Sequence, residues 1–276
     1  MRRLFLLAAY DPQSIVGESL LLMLRTLSGF GDVVFVADSI LPEDQLAKVS
    51  PYVLHAESER HGEYDFGSYK RAFIWCCRNL NLTSYDVMYL VNDSVFGPLS
   101  SPDFILGGME SLDCEAFSLV RNPNVRHPHL QSWFIGLRPS VFLSPWFASF
   151  LGSVRPMENK ESVCIEYEIG FTALLSFNGV TYDSLFKVRG RGIYNSVLKL
   201  NRIGIPFIKK ASFTRHCGCL GRQLRLVLES CPSAVRDAVL SDASRLWGAE
   251  YVQTLLNGNF LTMIVRFLRY LRSKIL

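Results

Sequence analysis

The residues best suited to chemistry in this 276-residue chain stand directly after an apolar run, Val87 to Val91. The run predicts a buried strand, and Asn92, Asp93 and Ser94 follow at its end. A carboxylate such as Asp93 can hold Mg²⁺ or Mn²⁺, which neutralises the charge that develops on a departing diphosphate. The triplet supplies one acid, so the need for a divalent cation stays open. A turn in which Asn and Asp bond nearby backbone groups explains the same residues.

A second candidate group surrounds a glycine at the predicted start of a helix. Ser68 can cap a helix that runs to about Asn79, and the backbone N–H groups at such an end can bind phosphate. Asp65 precedes this end, and Lys70 adds a positive charge to it. We therefore expect Asp65, Ser68 and Lys70 to line a phosphate-binding site. The alternative is a simple helix cap made by Asp65 or Ser68.

A third group lies at the entry of a predicted strand over residues 132–137. His129, Gln131 and Ser132 supply polar side chains, and Trp133 supplies a flat apolar face that suits a sugar ring. These residue types predict a substrate site. A structural His–Gln pair is the competing interpretation.

Two carboxylates, Glu166 and Glu168, fall in the predicted first turn of a helix that reaches Phe177. The helix dipole favours ionised acids there, and an ionised carboxylate can act as a general base. Residues two apart on a helix point to different faces, so we expect only one of the two to face a site. Complementation of the dipole by two solvent-exposed acids is the alternative.

Strands and helices alternate through the first half of the chain. Apolar runs over residues 4–9, 32–37 and 87–91 predict buried strands, and 15–27 and 68–79 have helical spacing. This order predicts an α/β fold with a mainly parallel, Rossmann-like sheet. Tyr10, Asp38 and Asn92 each follow a strand end, where ligands of such sheets bind. Helices over 220–228, 234–246 and 260–276 predict a helical C-terminal region.

The charge balance locates the basic character in the last residues. The whole chain carries a net charge of +4, and residues 258–276 hold four basic residues and no acid. The body is therefore formally neutral, which argues against nucleic-acid binding. Phe260, Ile264, Leu268 and Leu271 share one face of the predicted terminal helix, and the basic residues lie opposite. This pattern is typical of a helix on an anionic membrane, although a helix docked on the body with its charges in water would fit too.

The chain has no apolar run long enough to span a bilayer and no signal-peptide pattern, and its seven cysteines suit a reducing compartment. We therefore expect a cytoplasmic protein, peripheral on the inner face of the cell membrane. No Gly-x-Gly-x-x-Gly follows the first strand, which argues against a Rossmann oxidoreductase.

Five segments, in this order, resemble the rhamnan-synthesis-F family of polysaccharide glycosyltransferases. They are DFGSY (65–69), NDSVFGP (92–98), HLQSWF (129–134), YEIG (167–170) and GIPFIK (204–209). The resemblance covers about residues 5–212. It implies a GT-A-like nucleotide-diphosphosugar transferase domain over 1–212, and the helical region over 213–276 falls outside it.

The resemblance also implies the activity and the roles of residues. A sugar, often a deoxyhexose such as rhamnose, would pass from a dTDP-, UDP- or GDP-linked donor to a growing, lipid-linked or cell-surface glycan by an inverting reaction. The implied roles are the general base for Glu168, metal or diphosphate contact for Asp93, donor binding for Asp65, Ser68, Lys70 and Asn92, and sugar or acceptor binding for His129, Gln131 and Ser132. Residue type and position add Tyr10 and Asp38 to the expected donor site, Trp133 and Lys209 to the expected substrate site, and His216 to the expected metal site. Because a full Asp-x-Asp is missing, Lys209, Lys210 or His216 are alternatives for offsetting diphosphate charge. A catalytically silent homologue that binds glycan or nucleotide as a scaffold is the alternative function.

Overall fold

A computed structural model describes residues 1–124, 126–215 and 219–258, together with positions 261, 264, 265 and 268. His216 and most of the predicted terminal helix lie outside these residues. The strands of the described chain are β1 Arg3–Ala9, β2 Asp32–Ala37, β3 His55–Ser58, β4 Val87–Asn92, β5 Val95–Phe96, β6 Ala116–Asn122, β7 His129–Leu130, β8 Phe134–Leu137, β9 Tyr182–Lys187 and β10 Ile208–Lys209.

The helices follow in the same way. The α-helices are α1 Glu18–Ser28, α2 Glu43–Val49, α3 Tyr64–Asn79, α4 Asp103–Glu110, α5 Pro139–Phe142, α6 Pro145–Gly152, α7 Lys160–Val163, α8 Gly170–Phe177, α9 Gly192–Asn195, α10 Val197–Arg202, α11 Leu220–Glu229, α12 Ser233–Trp247 and α13 Ala249–Leu256. A π-helical segment, Cys164–Ile169, joins α7 to α8. Short 3₁₀ turns cover Ser50–Tyr52, Leu82–Ser84 and Lys210–Thr214.

Residues pack into two compact units. The first contains residues 1–16, 23–93 and 103–190, and the second contains residues 17–22, 94–102 and 191–276. The predicted division at residue 212 stays a prediction. Across the described parts of the chain, none of the helices has the length and apolar character needed to cross a bilayer.

An eight-stranded sheet organises the first unit, with the order β3-β2-β1-β4-β8-β6-β7 and with β9 paired to β6. β1, β2, β3 and β4 are parallel to one another. β8 is antiparallel to both β4 and β6, so β6 runs in the direction of β4, and β9 is parallel to β6. Six strands of this sheet therefore end at the same edge, and the predicted mainly parallel α/β fold is confirmed.

Apolar periodicity explains how α3 covers this sheet. Phe66, Tyr69, Phe73 and Cys76 lie on one helical face and are buried against residues of the first two strands such as Leu6. Burial of each large side chain contributes about 1.5–3 kcal/mol. The face therefore fixes the rotation of α3 and, with it, the direction of the polar residues in its first turns.

Three local predictions were wrong at helix starts. α3 begins at Tyr64, so Ser68 lies inside the helix and does not cap it. α1 begins at Glu18 rather than Ile15, because the Asp11 side chain accepts the N–H groups of Gln13 and Ile15 and holds a turn. Glu166 and Glu168 lie within the π-helical segment after α7, not in a first turn, so the helix-dipole argument does not apply to them.

A buried carboxylate organises the second unit. Asp242 of α12 accepts hydrogen bonds from the backbone N–H groups of Glu18 (3.2 Å) and Ser19 (2.9 Å), which are unpaired at the start of α1. A Cβ atom at Gly17 would lie 2.3 Å from Asp242 Oδ1, so only glycine allows this approach. Burial raises the pKa of Asp242, while these N–H groups and Arg245 oppose the change.

Candidate functional site

Three of the predicted residues stand at adjacent strand ends in the first unit. Asp38 follows β2, and its N–H donates to Ala9 O of β1 (2.9 Å). Asp93 follows β4, and its N–H donates to Ala8 O of β1 (3.1 Å). The N–H of Tyr10 in turn donates to Asp93 Oδ1 (3.3 Å). The ends of β1, β2 and β4 therefore bring Tyr10, Asp38 and Asp93 to one place, as their sequence positions predict.

Asp38 orders the loop between β3 and α3. Its Oδ1 accepts the N–H groups of His61 and Gly62, both at 2.9 Å. Its Oδ2 pairs with Arg60 Nη1 at 2.7 Å, and the Arg60 guanidinium lies 4.9 Å from the centre of the Tyr10 ring. Tyr10 and Arg60 both remain about half exposed. Asp38 therefore positions a cation and an aromatic ring that face solvent beside it.

His61 is a buried member of the same loop. Its Nδ1 accepts the N–H of Glu63 (3.0 Å), which leaves the proton on Nε2, where Ser68 Oγ lies 3.0 Å away. Burial lowers the pKa of His61, and the positive charge of Arg71 lowers it further. The negative charges of Asp38, Glu63 and Glu59 raise this pKa, but the net shift is downward. The imidazole is thus held neutral as a bridge between the loop and α3.

Asn92 links Asp65 to the centre of the site. Its Nδ2 donates to Asp65 Oδ2 at 2.8 Å, and its side-chain amide also bonds the hydroxyl of Tyr69. That hydroxyl donates to Ser132 O (3.1 Å). Burial raises the pKa of Tyr69 well above its ordinary value, and the charges of Asp65, Glu168 and Asp93 add to the effect. Three carboxylates therefore surround one buried, neutral phenol.

Glu168 is anchored by Ser132. Its Oε1 accepts the backbone N–H of Ser132 at 2.8 Å and the Ser132 hydroxyl at 3.1 Å. Glu166 is exposed, whereas Glu168 is half-buried, so the two acids lie in different surroundings. The π-helical turn that carries them is a type of distortion that is frequent at functional sites.

Lys70 and Ser68 have internal partners. Lys70 Nζ donates to Glu63 Oε1 (2.8 Å) and to Val154 O (2.6 Å). Burial raises the pKa of Glu63, but hydrogen bonds from Lys70 and Arg71 outweigh it, and the net pKa is lowered. Together with the His61–Ser68 contact, these pairs fix the start of α3 rather than presenting charge to a ligand.

The remaining predicted residues divide between the units. Trp133 is buried, and its Nε1 donates to Gln131 Oε1 (2.9 Å), so neither ring face is open to solvent in this structure. His129 is half-buried, with Nδ1 2.9 Å from His127 O. In the second unit, β10 pairs with β5, and Lys209 Nζ donates to Ser94 Oγ at 2.8 Å. His216 lies outside the described residues.

The sequence interpretation missed Arg60, His61 and the polar role of Tyr69. Tyr69 has the spacing of a core residue, and its hydroxyl becomes important only through its neighbours. Arg60 and His61 follow β3, whose sequence HAES lacks an apolar pattern and was not predicted as a strand. The polar run before Gly62, which has a φ of +71°, is the signal that marks this loop.

A divalent cation such as Mg²⁺ takes several oxygen ligands at its binding site. Among the described residues, no group of three His, Cys, Asp or Glu side chains could hold a metal ion. Mg²⁺ is commonly bound through one or two carboxylates together with substrate phosphates, so a complete protein cage is not required. The surroundings of Asp93 therefore fit a cation shared with a bound diphosphate.

Comparison with known proteins gives one family. The sequence profile described as rhamnan synthesis protein F matches residues 33–267, which extends past the five motifs and into the C-terminal helices. The expectation that the family likeness ends at about residue 212 was therefore wrong, because the match continues to residue 267. Among proteins with curated descriptions, none matches the chain.

Solved structures give distant likenesses. A nucleotide-diphospho-sugar transferase from Desulfovibrio desulfuricans G20, described as putative, shares 15% identity and a TM-score of 0.38 over 86% of this chain and 99% of its own. The S. cerevisiae mannosyltransferase Ktr4p, solved with GDP, shares 7% sequence identity with this chain and gives a TM-score of 0.34 over 55% of it. This chain spans 60% of the yeast enzyme's length. Core-mannan synthase A of Aspergillus fumigatus, in its Mn/GDP form, shares 10% sequence identity with this chain. The TM-score is 0.34, over 63% of this chain and 69% of the fungal one.

Proposed function

Because the chain belongs to the rhamnan synthesis protein F family, we propose that it is a glycosyltransferase that moves a sugar from a nucleotide-diphosphate donor to a glycan acceptor. One observation carries the proposal. Asp38, Asp65, Asp93 and Glu168 are distant in sequence, yet contacts join their surroundings at the carboxyl edge of one sheet. An ion pair and a cation–π contact connect Asp38 through Arg60 to Tyr10, whose N–H bonds Asp93. Hydrogen bonds connect Asp65 through Asn92, Tyr69 and Ser132 to Glu168.

The donor nucleotide is proposed to bind at the ends of β1 and β2. Tyr10 offers an exposed aromatic ring, and Arg60 is held over it by Asp38, so the pair can stack on a base and donate hydrogen bonds to it. Asp65 and Asn92 would contact the sugar or the diphosphate beside them. Ser68 and Lys70 would act indirectly, because their side chains bond His61, Glu63 and Val154.

A divalent cation would be held by Asp93 together with oxygen atoms of the donor diphosphate. When bound, it would neutralise charge on the leaving nucleoside diphosphate. The chain contributes the position of the Asp93 carboxylate, which the Tyr10 N–H fixes at one oxygen. The alternatives Lys209 and Lys210 belong to the second unit, and His216 lies outside the described residues.

Glu168 is proposed as the general base of an inverting transfer. An acceptor hydroxyl would give its proton to the Glu168 carboxylate while its oxygen forms a bond to the anomeric carbon. At the same time the bond from that carbon to the diphosphate oxygen breaks, and both electrons leave with the nucleoside diphosphate. Ser132 holds Oε1, so the other carboxylate oxygen is the one that would face the acceptor.

The proposal is tested with purified protein and a panel of dTDP-, UDP- and GDP-linked sugars, including deoxyhexoses such as rhamnose. Specific donor binding raises the melting temperature, and release of nucleoside diphosphate reports turnover. We expect one nucleotide class to do both. Donor binding without turnover under any acceptor or metal condition would favour the silent scaffold, and the absence of both would end the transferase proposal.

We also propose that residues 258–276 contact an anionic membrane, where a lipid-linked acceptor would lie. Leu261, Ile264, Val265 and Leu268 are helical, follow the spacing of one face and are 40–70% exposed. Four basic residues and no acid accompany them in this segment. Removal of residues 258–276 should abolish binding to phosphatidylglycerol vesicles, and unchanged binding would contradict the proposal.

A further inference from the structure

One side chain of α3 is apolar along its ring and polar at its tip. Tyr69 is fully buried on the helical face that covers the sheet, where its ring meets Phe66 edge-on with the ring centres 5.7 Å apart. Its hydroxyl donates to Ser132 O at 3.1 Å. The same hydroxyl accepts a hydrogen bond from the side-chain amide of Asn92. Tyr69 therefore joins the end of β4 to the turn that precedes β8.

Asn92 is connected to this turn in two ways. Its backbone N–H donates to Trp133 O at 3.2 Å. Its side-chain amide has two hydrogens, which serve Asp65 Oδ2 at 2.8 Å and the Tyr69 hydroxyl. The Tyr69 hydroxyl in turn bonds Ser132. The turn is therefore held to the strand end that carries the proposed donor-binding residues.

Ser132 supplies the hydrogen bonds that hold Glu168. Its N–H and its hydroxyl both donate to Glu168 Oε1, at 2.8 Å and 3.1 Å, whereas its carbonyl accepts from Tyr69. Ser132 lies outside both β7 and β8, and Gln131 N–H just before it donates to Val120 O at 2.9 Å. The Ser132 carbonyl is thus fixed by the Tyr69 side chain. The orientation of the residue that holds Glu168 therefore depends on the Tyr69 hydroxyl.

The surroundings of Tyr69 keep its hydroxyl protonated. Burial raises the pKa of Tyr69, and the charges of Asp65, Glu168 and Asp93 raise it further, although the hydrogen bond from Asn92 lowers it. The phenol is therefore neutral at pH 7 and can donate its proton to the Ser132 carbonyl. A phenylalanine would fill the same space but leave that carbonyl and one buried amide hydrogen of Asn92 without this partner. Because such unsatisfied groups are costly, the turn would move to find another partner.

From this chain of contacts we propose that the Tyr69 hydroxyl is a positioning group for Glu168. It sets the turn at Ser132 and, with it, the place of the base relative to Asp65 and Asn92. The inference rests on the proposed function, in which Glu168 is the general base. Tyr69 is fully buried, so its effect on the reaction passes through Ser132. Displacement of a catalytic group by about 1 Å can lower a rate about 100-fold.

Tyr89→Phe is the matched control for Tyr69→Phe. Tyr89 is also fully buried, and its hydroxyl donates to Glu110 Oε1 at 2.8 Å. Glu110 pairs with Arg3, the first residue of β1, so this contact lies at the opposite edge of the sheet. Both variants lose a buried phenol hydroxyl, so both should unfold at lower urea concentration than wild type. The pair therefore separates a loss of stability from a loss of position.

Kinetics are measured on both folded variants. We expect kcat to fall about 10- to 100-fold in Tyr69→Phe and to stay within about 2-fold of wild type in Tyr89→Phe. Donor affinity by calorimetry should stay unchanged in both, because Asp65 and Asn92 keep their own hydrogen bond. An equal loss of kcat in both variants, or wild-type kcat in Tyr69→Phe, overturns the proposal.

A double-mutant cycle tests whether the effect passes through Glu168. In Glu168→Gln, which already lacks the base, addition of Tyr69→Phe should lower kcat by no more than about 2-fold. Losses that multiply would show that Tyr69 acts independently of Glu168 and would overturn the proposal.

If wild type releases nucleoside diphosphate from none of the donors, the proposed function fails. The link between Tyr69 and Glu168 is then decided by urea unfolding of wild type, the two single variants and the double variant. Because both residues bond Ser132, their combined effect on the unfolding equilibrium constant should fall short of the product of the single effects by about 2-fold or more. Effects that multiply would overturn the link. The two failures are therefore distinguishable.

Discussion

Replacement of Glu168 by Gln removes the proposed base with little change of shape. Gln keeps the Oε1 acceptor that receives the Ser132 N–H and hydroxyl, and it replaces the other carboxylate oxygen by an amide that cannot take a proton. We therefore expect Glu168→Gln to fold and to bind the nucleotide sugar with wild-type affinity. Its kcat should be the quantity that falls.

The size of the effect follows from these contacts. General base catalysis contributes about 10²–10⁴-fold, or about 3–5.5 kcal/mol of activation free energy. Two charge-assisted hydrogen bonds become neutral ones, which costs about 2 kcal/mol of unfolding free energy. For a protein of this size that cost lowers Tm by about 4–8 °C. The loss of rate should therefore exceed anything that partial unfolding explains at 25 °C.

Two matched variants give the assay its controls. Glu166→Gln makes the same chemical change at an exposed position of the same helical turn and should leave kcat within about 2-fold of wild type. Ser132→Ala removes the hydroxyl but keeps the backbone N–H, so kcat should fall by about 10-fold or less. Turnover is followed as release of nucleoside diphosphate, with donor affinity by calorimetry. Wild-type kcat in Glu168→Gln would refute the base assignment.

Three further predictions concern the loop and the metal. Gly67→Ala would place a Cβ atom 2.2 Å from Glu63 Cβ and 2.8 Å from His61 Cε1, so we expect about 1–3 kcal/mol of destabilisation by urea unfolding and a raised donor KM. Gly107→Ala in α4 is the control, because its new Cβ atom would meet no atom within 4 Å, and the free energy of unfolding should rise by about 0.5–1 kcal/mol. A similar loss of stability in both variants would contradict the steric argument. Because the folded pKa of His61 is lowered, the unfolded chain binds the proton first, and stability should fall as pH drops below about 6.5 through the folded pKa. Between pH 7.5 and pH 5, the free energy of unfolding in urea should fall less in His61→Asn than in wild type or in His55→Asn. Identical falls in all three proteins would exclude His61 as the source of the pH dependence. Chelation by EDTA should abolish turnover, Mn²⁺ or Mg²⁺ should restore it, and Asp93→Asn should need about 10-fold more metal; full activity in EDTA would remove the metal from the proposal.

Much of the fold was predictable because strong apolar runs have few alternatives. The runs at 32–37 and 87–91 became β2 and β4, since side chains buried on both faces leave a parallel strand as the stable solution. β3 and α4 were missed, because HAES carries no periodicity and two adjacent glycines interrupt the residues of α4. Helix starts were misplaced at Ser68 and Ile15. At α1, Asp11 holds residues 13–15 in a turn and Asp242, distant in sequence, accepts the N–H groups at the start of the helix.

The sequence by itself determined that Asp38 and Asp93 would lie at one edge of the sheet, because both follow parallel strands that end there. It also indicated that Glu166 and Glu168 would point in different directions, because residues two apart on a helix diverge. Only the tertiary structure decided that Lys70 pairs with Glu63, that Trp133 is buried against Gln131, and that Asp38 orders a loop carrying Arg60 and His61. The physical reason is that a polar side chain takes the strongest partner within reach. Reach depends on how the strands and helices pack, which local sequence spacing does not specify.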